Sequence, residues 1–152
     1  MAGDSEGIGT QSDCCTIKYN SAGVQQWFTR YNGPGNGVDE AYSLSIDGSL
    51  NVYVTGNSFG STSGSDYAAV KYNSSGVQQW AARYNSPGNN DDLAKSIAVD
   101  VSGNVYVTGS SFGSGTGTDY ATIKYNSSGI QQWFTRYNGP GNTTDKAALI
   151  TV

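Results

Sequence analysis

The chain has 152 residues, no histidine, two cysteines and a formal net charge of −4. Its eight basic residues are scattered, which excludes a phosphate-tracking surface and makes nucleic acid an improbable partner. No apolar run approaches the roughly 20 residues that would cross a bilayer as a helix, and Gly, Ser, Asn and Thr abound, so a turn-rich chain with no membrane partner is expected.

The opening "MAGDSEGIGTQSD" has neither a basic start nor an apolar centre and does not read as a targeting signal. Cys14 and Cys15 follow directly. Neighbours in sequence cannot staple distant parts of one chain, although an exposed pair would be able to cross-link subunits.

From Ile17 the sequence repeats. Trp27, Trp80 and Trp133 stand 53 residues apart, as do Lys18, Lys71 and Lys124, and Asp39, Asp92 and Asp145. Asp66 to Asn89 and Asp119 to Asn142 agree at 18 of 24 positions, and there are no insertions. A repeat of this length signals a solenoid, a propeller or an array. The copies fall at about 1–46, 47–99 and 100–152, within a single repeat domain spanning 1–152.

One unit, taken from Ala94, predicts four strands. "AKSIAVD" ends in a β-branched run, "VSGN" turns, and "NVYVTG" alternates as a strand does. "SSFGSGTGT" reads as a flexible loop. "DYATIKY" then puts Ala121, Ile123 and Tyr125 on one face and Tyr120, Thr122 and Lys124 on the other. After the turn "NSSG", "IQQWFTRY" separates Trp133, Thr135 and Tyr137 from Gln132, Phe134 and Arg136, and the loop "NGPGN" closes the unit. No helical period competes. Apolar residues on both faces mean that each sheet must be covered on both sides, which radial stacking of four-stranded antiparallel sheets achieves. The fold class expected is all-β, a β-propeller.

The motif "AxxIAVDxSGNVYVTGxSxG" followed by "DYATIKYNSSGxQQW" resembles the SBBP repeat, a β-propeller repeat of large secreted or surface proteins, over the chain from Asp13 to Val152. The resemblance implies a propeller with the "SIAVD" strand nearest the axis, an extracellular or cell-surface location, and no established activity.

The ends are out of phase with the blades. Val152 aligns with Val99 and Met1 with Val54, so the first copy is seven residues short, lacking the counterparts of Asp47 to Tyr53, and one blade is expected to be split between the termini. Propellers have about four to eight blades, so three would belong to a larger propeller or be completed by other copies. A homodimer giving six blades is favoured, with "ALITV" of one chain completing the sheet begun by "SDCCTIKY" in the other. The expected seam residues are Cys14, Cys15, Ile17, Leu149, Ile150 and Val152. A contact of this kind that fails to close would give a filament.

Chemistry is sparse. Without histidine the commonest general base and metal ligand are absent. Eight of the twelve acids recur in register: Asp13, Asp66 and Asp119; Asp39, Asp92 and Asp145; Asp47 and Asp100. Residues required in every copy point to turn caps or partners for the repeated Lys and Arg, leaving Asp4, Glu6, Glu40 and Asp91 outside any motif. "DVSGN" and "DGSLN" resemble calcium loops only superficially, lacking the further acids and the closing Glu. No cofactor, metal site or catalytic residue is expected, and the chain is read as a non-enzyme.

Of 18 aromatic residues only Tyr42 is unrepeated, which makes the tryptophans blade-packing residues. The functional alternative is a set of repeated shallow sites for a glycan or protein on the loops, at Tyr31, Asn32 and Asn36, at Tyr84, Asn85 and Asn89, and at Tyr137, Asn138 and Asn142. Equivalent weak sites would act together. A binding and scaffolding module is the favoured function, with a purely structural subunit as the alternative. Cys14, Cys15, Glu6, Glu40 and Lys95 are positions where one copy departs from its siblings.

Overall fold

The computed structural model describes residues 1–113 and 115–152, and among them there are eleven strands and no helix. Three antiparallel sheets follow one another along the chain. The first holds β1 (Ala2–Glu6), β2 (Ser12–Tyr19) and β3 (Gln25–Tyr31) in that order. The second holds β4 (Asp39–Ile46), β5 (Val52–Phe59), β6 (Ser65–Tyr72) and β7 (Gln78–Tyr84). The third holds β8 (Asp92–Val99), β9 (Val105–Gly113), β10 (Gly117–Tyr125) and β11 (Gln131–Tyr137). These are propeller blades in an open arc, not a closed ring.

Local chemistry sets each turn. In "NSSG" the Asn73 side-chain oxygen accepts from the N–H groups of Ser75 and Val77, at 3.0 Å each, and Gly76 supplies the positive φ of 82° that closes it. In "DVSGN" the Asp100 carboxylate accepts from the backbone of Ser102 and Asn104, from the Asn104 amide and from Tyr106 Oη. The carboxylate oxygens are thereby committed to holding a hairpin.

The segment expected as a loop between the second and third strands is largely strand. β9 continues to Gly113 and pairs there with Gly117, where β10 starts. The composition suggested flexibility because the ladder here is built from small residues; Ser110 and Ser111 are buried and pair with Tyr120 and Asp119. Ser114 lies outside the described residues.

The core sits between sheets, as residues with two apolar faces require. One cluster joins the second and third sheets through Tyr53, Tyr67, Ile97, Val107, Ile123 and Tyr125; the other joins the first and second through Cys14, Val52, Val54, Val70 and Tyr72. The innermost strands β4 and β8 run beside each other. Each carries a bulge, at Tyr42 and at Lys95, the two residues that drop out of the ladder register.

Candidate functional site

The junction between sheets accounts for most of the repeated residues. Trp27 Nε1 and Lys18 Nζ both donate to Ser74 O at 3.1 Å, and Trp80 Nε1 and Lys71 Nζ donate to Ser127 O at 3.1 and 3.4 Å. Each sheet thus grips the "NSSG" turn of the next. The tryptophan ring lies flat on the turn glycine: a Cβ on Gly76 would stand 2.7 Å from Trp27, and one on Gly129 would stand 2.7 Å from Trp80. Trp80 also packs 6.4 Å from Tyr125, and Trp27 packs 6.5 Å from Tyr72.

The same pattern has no counterpart at the ends of the arc. Trp133 is exposed, and so is the whole turn Asn20–Gly23.

The recurring acids hold the backbone. Asp13, Asp66 and Asp119 face Arg30, Arg83 and Arg136 at 3.5, 2.6 and 3.5 Å. Asp39, Asp92 and Asp145 accept from the loop N–H groups of Gly33, Ser86 and Gly139 at 2.7, 2.6 and 2.7 Å. Burial pushes the Asp92 carboxyl up from its ordinary value, opposed by hydrogen bonds from Ser111 and Ser86. Among the described residues no group of three or more His, Cys, Asp or Glu is gathered as a metal would need.

The loops singled out for ligand binding fold on themselves. Asn32, Asn85 and Asn138 donate through their side-chain amides to Asn36, Asn89 and Asn142 at 2.8, 2.6 and 2.7 Å. The acceptor asparagines adopt φ of 48°, 50° and 46°, a conformation that asparagine tolerates better than most residues. The loop tyrosines turn toward the blades. Tyr84 stacks on Phe134 at 4.8 Å and meets Tyr67 at 5.8 Å, Tyr31 packs against the cluster between the first and second sheets, and Tyr137 lies 5.0 Å from Tyr120 with its outer side exposed.

The expected seam residues divide into two groups. Cys14 and Cys15 are buried free thiols. Burial, and to a lesser degree the nearby Asp39, push the Cys14 thiol up to about 12. Ile17 continues the β1–β2 ladder by exchanging two backbone hydrogen bonds of 2.9 Å with Met1. Leu149 and Val152 are exposed on a C-terminal segment that joins no sheet. That segment is tied by Asp145 N–H to Thr118 O at 2.7 Å and by Ile150 N–H to Ser96 Oγ at 3.2 Å.

Folding also unites residues that the repeat pattern marked only as odd ones out. Tyr42 Oη donates to Glu40 at 2.5 Å, and Lys95 Nζ sits 4.2 Å from the centre of the Tyr42 ring. The hydrogen bond to Glu40, reinforced by burial, pushes the Tyr42 hydroxyl up to about 12. The three residues stand on the two neighbouring inner strands and form the polar cluster that the copies do not share.

No curated protein matches the chain. A family model described as the SBBP beta-propeller repeat matches twice, over residues 26–68 and 79–120, together more than half of the length. Each match starts in the outermost strand of one sheet and ends within the next, so the family's unit spans the junction that Trp and the "NSSG" turn build. The chain belongs to the SBBP beta-propeller repeat family.

Proposed function

We propose that this chain is a non-enzymatic scaffolding and binding module that works as an assembly of several copies, two chains making a six-bladed ring. One observation carries the reading: the two ends of the arc are the complementary halves of the junction found twice inside it. Trp133 and Lys124 stand at one end without a turn to grip, and the turn Asn20–Gly23 stands at the other without a tryptophan. The chain supplies a strand as well. Among the described residues nothing pairs with the second edge of β1, and residues 147–152 align in the repeat with the strand β8. Placed on β1 of a second copy, that segment would complete a four-stranded blade. Unpaired edges and exposed apolar faces drive such association.

Light scattering after size exclusion tests this. The expected mass is twice the 15.9 kDa of one chain, and Trp133→Ala, which leaves the inner junctions untouched, should return the chain to a monomer. A monomeric parent chain would refute the assembly. A large polydisperse species would favour the purely structural subunit, an open filament instead of a ring.

The binding half of the proposal rests on the rim. The loops at 31–36, 84–89 and 137–142 repeat at blade spacing with exposed Pro34, Pro87 and Pro140, so a ring would present them as a multivalent array to a glycan or protein in an extracellular or cell-surface setting. A glycan array probed with the assembled protein checks this half, and an absence of signal would remove glycans from it.

A further inference from the structure

Asp47, Tyr53 and Trp80 form a line through the second blade. Tyr53 on β5 stands opposite Lys71 on β6, which stands opposite Trp80 on the outer strand β7, so the three side chains share one face of the sheet. Tyr53 is fully buried, its ring lies 6.2 Å from that of the half-buried Trp80, and its hydroxyl donates to Asp47 at 2.9 Å. The third blade repeats the line: Tyr106 lies 6.0 Å from the exposed Trp133 and donates to Asp100 at 3.2 Å. In both blades a lysine stands over the phenol ring, with Lys71 and Lys124 Nζ each 5.1 Å from its centroid.

A tyrosine gives up an electron readily when a base takes its hydroxyl proton in the same step, and both carboxylates lie within the hydrogen-bond reach that such a transfer requires. The ammonium above each ring makes the base obligatory. A positive ring beneath Lys71 or Lys124 would reverse the attraction between cation and π face, so electron and proton must leave together and the ring stays neutral. The indole N–H of Trp80 points elsewhere, to Ser127 O at 3.1 Å, a carbonyl too weakly basic to remove its proton. Tyr125 supplies the contrast: its ring is 6.4 Å from Trp80, but among the described residues no carboxylate accepts from its hydroxyl.

We propose that Asp47–Tyr53–Trp80 and Asp100–Tyr106–Trp133 are redox relays that take up one-electron radical oxidants. The oxidant removes an electron from the tryptophan on the outer strand and leaves an indole radical cation. Tyr53 then passes an electron to Trp80 and its hydroxyl proton to Asp47, and Tyr106 does the same for Trp133 and Asp100. The step consumes a radical cation and a carboxylate and leaves a neutral indole, a neutral phenoxyl radical and a protonated carboxyl, so charge and electrons balance. Burial of Tyr53 shields its radical from solvent. Each relay lies within one blade, so the proposal is independent of the assembly reading.

Pulse radiolysis in azide solution tests this, with the azide radical as the one-electron oxidant. The expected record is a loss of indole-radical absorbance matched by a growth of phenoxyl absorbance, first-order, independent of protein concentration and slower in deuterium oxide. Tyr53→Phe should lower the phenoxyl amplitude, and Tyr53→Phe combined with Tyr106→Phe should abolish the first-order conversion although every other tyrosine is in place. Asp47→Asn combined with Asp100→Asn keeps an acceptor oxygen in each turn, as Asn73 provides in "NSSG", but cannot take the proton, and should slow the conversion. Unchanged near-ultraviolet circular dichroism reports an intact fold in each variant. A conversion that survives the two Tyr→Phe changes, that is unslowed by the two Asp→Asn changes, or whose rate rises with protein concentration would overturn the proposal.

Discussion

The two inner junctions are made by the same repeated residues and yet differ in how much they bury. Between the second and third sheets, Tyr53, Tyr67 and Tyr125 are enclosed with Trp80, and Tyr84 stacks on Phe134. Between the first and second, Cys14 stands where the next copy has Tyr67, Ala81 stands where the next copy has Phe134, and Trp27 packs against Tyr72. A repeat therefore specifies the geometry of a junction without fixing its strength. Strength follows from the ring area removed from water, which the variable positions decide.

That difference can be graded by experiment. Trp80→Ala should cost the most, about 3–5 kcal/mol in urea denaturation. Trp27→Ala should fall at or below the low end of that range. A larger loss from Trp27 than from Trp80 would reverse the ranking of the junctions. Arg83→Met comes next, because it strands the buried Asp66 without its 2.6 Å partner; about 3 kcal/mol is expected from an uncompensated buried charge. The matching Arg30→Met should cost less, since the Arg30–Asp13 pair is longer, at 3.5 Å, and more exposed. Gly129→Ala, which meets Trp80 and demands a φ of 80°, should lose about 2 kcal/mol; equal losses from Gly76→Ala would show that the turn grip, unlike the ring packing, is the same at both junctions.

The smallest effect concerns the turn carboxylates. Hydrogen bonds from Asn104, first from its amide and then from its backbone, together with those from Ser102 and Tyr106, hold the Asp100 carboxyl below its ordinary 3.8. A carboxyl depressed in the folded state stabilises above its unfolded pKa, and that stability is lost as pH falls through the folded value. The denaturation midpoint should accordingly drop below pH 3.8, and Asp100→Asn should flatten that part of the pH profile. An unchanged profile would remove Asp100 from the account of acid lability.

Much of the fold could be read from sequence because strand alternation and turn chemistry act locally. The faces of "DYATIKY" emerge as expected, with Ala121, Ile123 and Tyr125 buried, and the recurring acids serve as caps and ion-pair partners. The run "SSFGSGTGT" departs from expectation because glycine and serine signal flexibility by composition, whereas here small side chains allow close packing in a ladder. The Glu40, Tyr42 and Lys95 cluster was legible only as three irregularities. Their meeting depends on two bulges on adjacent inner strands, a relation between blades that no local window contains.

The grip of tryptophan on the following turn gives the chain a direction in time. Trp27 finds its acceptor 47 residues later at Ser74, and Trp80 finds its own at Ser127. During synthesis at about 5–20 residues per second, a finished sheet must wait several seconds for the turn that seats its tryptophan. Each blade is thus completed by the one made after it.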